Sequence, residues 1–138
     1  VALRPLVLTS LALLAFAGCG ASKAGSPVAV VRVTEQDFRI RAPKHVPPGD
    51  LLLSVRNRGP DGHELIVVRD RGGRLPLRRD GSTVSEEKLE PLIAGALEPG
   101  HPYSVRTLRV HLRPGTYELF CNMSGHYLGG MRTKLVVG

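Results

Sequence analysis

Three soft or borderline metal donors stand at steps of five near the C-terminal end of this chain: Cys121, His126 and Met131, in the segment CNMSGHYLGGM. The spacing rules out a helix as their carrier, because five residues turn successive side chains by about 140° and the donors would diverge. A loop between two strands can bring them to one point. Gly125, Gly129 and Gly130 give that loop the backbone freedom a tight wrap needs.

The surrounding sequence supplies the strands. Short apolar or alternating runs lie at 28–34, 37–42, 51–57, 64–69, 104–112, 116–121 and 132–137, separated by turn-forming stretches such as HVPPGD, RGPDG and RPG. With 16 Gly and 11 Pro among 138 residues, and aromatics at only 4%, the composition favours a sandwich over a helical bundle. One helix is expected, over TVSEEKLEPLIAGAL (83–97), with Ser85 in the N-cap position and Pro91 shortening or kinking it. The fold class read from this pattern is an all-β Greek-key sandwich of about seven to eight strands with one short helical insert. On 104–112, Leu108, Val110 and Leu112 are expected to face in, and Arg109 and His111 out.

The N-terminus reads as an address. Residues 1–18 carry Arg4 and then an apolar run from Leu6 to Ala17, too short to cross a bilayer comfortably. Phe16-Ala17-Gly18-Cys19 resembles a bacterial lipobox, which makes Cys19 the lipidation site; a plain secretory signal cut near Ala17 is the rival reading. Residues 19–27 then form a lipidated Cys and flexible tether, and 28–138 the folded domain. These features place the domain outside the cytoplasm, lipid-anchored to the outer face of the cytoplasmic membrane. With Cys19 bearing lipid, Cys121 has no partner for a disulfide, and a lone thiol in an oxidising compartment calls for another role.

That role is suggested by its neighbours. Thiolate, imidazole and thioether suit copper and not Mg²⁺ or Ca²⁺, which want oxygen. The loop lacks a second imidazole, and His63, directly after the RGPDG turn and at the head of an apolar strand, can supply it. His63, Cys121 and His126 with a weak axial Met131 make the trigonal N₂S-plus-long-sulfur set of blue-copper sites. Cys121 as a buried structural thiol and Met131 as a core residue are the plainer alternatives. Met123 reads as packing or surface, and His45, His101 and His111 as solvent or turn residues. Glu86, Glu87 and Glu90 read as a helix face. No Ser-His-Asp set, phosphate loop or second His cluster is present, so catalysis is not expected.

The segment GTYELFCNMSGHYLGGM and its terminal strand resemble the C-terminal end of cupredoxins, the type 1 blue-copper family of plastocyanin, azurin and auracyanin. Asn57, Gly59, Gly62 and His63 resemble the family's first ligand region, and the Cys-x4-His-x4-Met spacing is auracyanin-like. The resemblance covers roughly 28–138. It implies one mononuclear copper held by His63, Cys121, His126 and Met131, with the Gly62 carbonyl as a weak axial contact. It also implies electron exchange through the edge of His126, with Leu128, Met123 and Pro60 around it. Glu64 departs from the pattern, since many members have Asn after the first His. The hydrogen bond that Asn uses to pin the Cys loop is therefore absent or replaced.

Net charge is +7, and fifteen of the nineteen basic residues are Arg. The basic residues are scattered, and the densest stretch, 69–79, has no aromatic stacking platform, so nucleic acid is not an expected partner. A basic surface favours acidic partners. The function expected is single-electron transfer by a monomer between transient, acidic redox proteins. A copper-binding lipoprotein for delivery, storage or resistance is the alternative, and a metal-free scaffold a third reading.

Overall fold

The computed structural model describes residues 28–138; the expected signal, Cys19 as the expected lipidation site and the whole of the expected tether lie outside the described residues. Among these, nine strands form two sheets. The first sheet contains β1 (Ala29–Gln36), β2 (Arg39–Arg41), β4 (Gly49–Asn57) and β7 (Val105–Leu112), in the order β2-β1-β4-β7. The second contains β3 (His45–Val46), β5 (His63–Arg69), β6 (Ile93–Gly100), β8 (Gly115–Phe120) and β9 (Arg132–Val137), in the order β3-β9-β8-β5-β6. β1 runs parallel to β4 and β3 parallel to β9; the other pairings are antiparallel.

Alternation sets the first sheet. On β1, Val31 and Val33 are buried while Val30 and Arg32 are exposed; on β7, Val110 and Leu112 are buried and Arg109 and His111 exposed, as the period-two pattern requires. Leu108 is half-buried against the core. His45 and His101 are also exposed.

The second sheet differs because its β5, with the end of β8, is covered on both sides. Leu65 and Val67 of β5 face the main core with Leu51, Leu53, Leu119 and Leu135. Ile66 and Val68 face a second cluster with Val84, Leu89, Phe120 and Tyr127. This accounts for the unbroken apolar run in β5, which a half-exposed strand would not tolerate. The cover is the segment 70–92, carrying Val84 and Leu89.

Two sequence expectations need correction. The helix over 83–97 is much shorter: α1 spans Glu86–Leu89, one 3₁₀ turn follows over Glu90–Leu92, and β6 begins at Ile93. Pro91 ends the helical ladder, and IAGAL then pairs with β5. Ser85 sits at the N-cap, but its side chain makes no capping hydrogen bond. The second correction is local: 37–42 is not a strand from its first residue. β1 runs on to Gln36, and Asp37-Phe38 is a two-residue turn into β2.

Candidate metal centre

Four structural positions converge at one end of the sandwich. His63 opens β5, Cys121 directly follows β8, His126 lies in the loop, and Met131 closes that loop before β9. One donor atom from each of His63, Cys121 and His126 lies within 4.8 Å of the others. Cys121 Sγ is 3.4 Å from His126 Nδ1. Cys121 and Met131 are fully buried in the main core, His63 is fully buried, and His126 alone is partly exposed.

The loop is wound by its own backbone. The Cys121 N–H donates to the Met131 carbonyl at 3.1 Å, and the Met131 N–H to the His126 carbonyl at 2.9 Å, so all three loop donors are tied to one another. Gly125 and Gly130 hold φ of +80° and +95°, a region that side chains with a Cβ rarely adopt.

The donor set fits a metal. His63 is completely enclosed, yet neither ring nitrogen has a hydrogen-bond partner, an arrangement costly to maintain unless something else satisfies the ring. Asp37 Oδ1 stands 3.3 Å from His63 Nε2, within ionic reach but off hydrogen-bond alignment, and Nδ1 has no hydrogen-bond partner. Burial, with His126 beside it, holds the His63 pKa below the ordinary imidazole value, although Asp37 pulls the other way. A neutral imidazole is the form that ligates. Burial also pushes the Cys121 thiol up to about 11, against backbone N–H groups of Met123 and Glu64 that act on the sulfur. The thiol is therefore protonated in the metal-free chain, and a metal must displace that proton.

Burial, with Glu86 nearby, raises the Glu64 pKa above the ordinary carboxylate value, and the Asn122 backbone N–H pulls it the other way. Asn122 also reaches outward from the Cys loop, and its amide holds Val84 and Glu86 of the covering segment. In the first ligand turn, Asn57 Oδ1 accepts the Gly59 N–H at 2.9 Å and Asn57 Nδ2 donates to the Asp61 carbonyl at 2.6 Å. Behind His63, Arg106 Nη2 donates to its carbonyl at 3.0 Å and to the buried Glu35 carboxylate at 2.9 Å.

Sequence reasoning missed Asp37, Phe38, Glu35, Arg106 and the outward grip of Asn122. The first four come from distant segments that only the fold brings near, and Asn122, beside the thiol, grips a segment far from it in sequence. Met123 packs partly buried against the core, and Glu86, Glu87 and Glu90 are exposed. Glu86 has a partner that its place on a helix face does not suggest, the Asn122 amide at 2.7 Å.

No family model and no curated protein matches the sequence. Solved structures do. Reduced auracyanin from the photosynthetic bacterium Roseiflexus castenholzii superposes with a TM-score of 0.58 at 20% identity, covering 83% of this chain and 99% of that one. Auracyanin A, a blue copper protein from Chloroflexus aurantiacus, gives 0.61 at 17%, covering 81% and 100%. Rusticyanin from Thiobacillus ferrooxidans gives 0.60 at 16%, covering 81% and 79%. At such identities the likeness is one of fold: the chain has the cupredoxin fold, and His63, Cys121, His126 and Met131 form a site like that of type 1 copper.

Proposed function

We propose that this chain is an extracytoplasmic blue-copper protein that carries single electrons between redox partners. The observation that carries the reading is the donor cluster: one thiol and two imidazoles within 4.8 Å, walled in except at His126. Copper held there would supply a one-electron Cu(I)/Cu(II) couple. The chain does the rest. The wound loop and the head of β5 fix the donors, so that gain or loss of an electron moves them little. Burial of Cys121, His63 and Met131 excludes water. His126 presents its edge outward, with Leu128 two residues on and 55% exposed. The Gly62 carbonyl belongs to this reading as a weak axial contact.

The partners in this reading are acidic and transient, and the protein acts as a monomer. Arg32, Arg39, Arg41, Arg56 and Arg109 project from the outer side of the first sheet. None of them enters an ion pair among the described residues. Unpaired positive charge speeds encounter with acidic proteins at low salt. Lipid on Cys19 would hold the protein at the outer face of the cytoplasmic membrane.

The test is the colour and electrochemistry of the copper-loaded chain. A strong visible band from the copper–thiolate bond, lost in Cys121→Ala, together with reversible voltammetry, supports the carrier. A colourless protein that binds only Cu(I) and yields it readily to a chelator points to copper delivery. Cys19→Ala should release the protein from the membrane fraction; retention there refutes the anchor.

A further inference from the structure

The turn between β1 and β2 touches both imidazole ligands from outside, one with each of its two residues. Asp37 Oδ1 lies 3.3 Å from Nε2 of the buried His63, and the Phe38 ring meets the His126 ring edge-on, with centroids 5.3 Å apart. The His63 ring also lies 5.3 Å from the His126 ring, centroid to centroid, at a tilt of 60°, so His126 contacts both rings.

Three features show that this turn is built for the contact. Phe38 has φ +56°, a left-handed conformation usual for Gly or Asn and disfavoured for a bulky residue. It keeps that conformation while leaving 52% of its surface exposed, so burial in the core does not explain it. The remaining two features are glycines, each leaving room for one of the turn's side chains. A Cβ on Gly59 would come within 2.7 Å of Asp37 Oδ1, and a Cβ on Gly129 within 2.5 Å of Phe38 Cδ1. Neither glycine holds a positive φ, so both are needed for space and not for backbone freedom.

We propose that Asp37-Phe38 is an external clasp on the metal centre, in which Asp37 orients the His63 ring, Phe38 holds the His126 ring, and the turn governs how firmly the site keeps its metal. The inference rests on the metal-binding reading above and is independent of whether the metal carries electrons. Both are positioning residues: neither is a donor, and each acts through a ligand. A carboxylate 3.3 Å from the outer nitrogen of a metal-binding imidazole favours the proton on that nitrogen electrostatically and strengthens the ring as a donor. The Phe38 ring braces the ring of His126, the one partly exposed ligand, where that ligand could otherwise swing out and release the ion.

The experiment uses the full-length chain, loaded with Co(II) as a redox-silent probe and separately with Cu(I), and it follows release to a chelator. Asp37→Ala should weaken Co(II) binding about 10–100-fold, and Asp37→Asn should recover much of the loss. Phe38→Gly removes the ring and relieves the left-handed strain. It should speed metal release at least about tenfold even where the metal-free protein unfolds no more easily than wild type, and Phe38→Tyr should restore slow release. Gly129→Ala, which displaces the Phe38 ring, should behave like Phe38→Gly. In the metal-free chain, the His126 ring signals should broaden in NMR spectra of Phe38→Gly. Release rates that follow only the unfolding midpoint, or that equal wild type in Asp37→Ala and Phe38→Gly, overturn the clasp. Failure of the wild type to bind either metal overturns the metal reading, and the clasp with it.

Discussion

Asn122 grips the backbone of Val84 on both sides of its Cα: its Oδ1 accepts the Val84 N–H at 2.6 Å and its Nδ2 donates to the Val84 carbonyl at 3.1 Å. The residue next to the thiol thus bolts the metal loop to the segment that covers β5. Asn122→Ala would leave the Val84 N–H and the Val84 carbonyl without this partner, and each such loss costs about 1–3 kcal/mol. Urea denaturation of the metal-free chain should show a lower midpoint with an unchanged slope; an unaltered midpoint would refute the bolt.

Glu35 gives the fold a dependence on pH. Burial raises its pKa from 4.5 to about 7, against the attraction of Arg106. Folding therefore favours the protonated form. The stability from this group is complete below the unfolded value of 4.5 and is lost as pH climbs to about 7, with no further change above. Glu35→Gln stays neutral throughout and keeps an acceptor for Arg106. Relative to wild type, it should gain up to about 3 kcal/mol between about pH 5 and about pH 8. Parallel pH profiles for the two proteins would count against the assignment.

Met131→Gln replaces a soft thioether by a harder oxygen, which favours Cu(II) over Cu(I). The copper-loaded variant should keep its visible band and show a lower reduction potential by voltammetry. A potential that does not move would mean that Met131 is core packing alone.

Tyr127 supports the loop from beneath, without touching the ion. Its hydroxyl accepts from Arg132 Nη1 at 2.6 Å and from the Leu75 N–H at 3.4 Å, and its ring packs edge-on against Phe120. Tyr127→Phe should lower thermal stability by about 1 kcal/mol and leave the copper spectrum as it was. A shifted spectrum would show that the hydroxyl helps place His126.

What the sequence makes legible follows from what is local. The step of five in Cys121, His126 and Met131 needs no tertiary information, and alternation is enough to turn Arg109 and His111 outward. The stretch 93–97 reads as helix because IAGAL is as apolar as a helix face, and its true partner, β5, lies far earlier in the chain. Asp37 and Phe38 read as the start of a strand because nothing near them names the imidazoles they meet. The two-sided burial of β5 shows in its unbroken apolar run, but the identity of the second cover does not.

The double wall around β5 bears on how the molecule opens. Amides of a strand enclosed on both faces exchange with solvent only in the largest unfolding events, whereas a surface loop opens in small ones. His63 hangs from the head of that strand, and His126 from a loop with one side toward water. The centre thus has one fully enclosed imidazole and one that water reaches, and a metal held there would leave by way of His126.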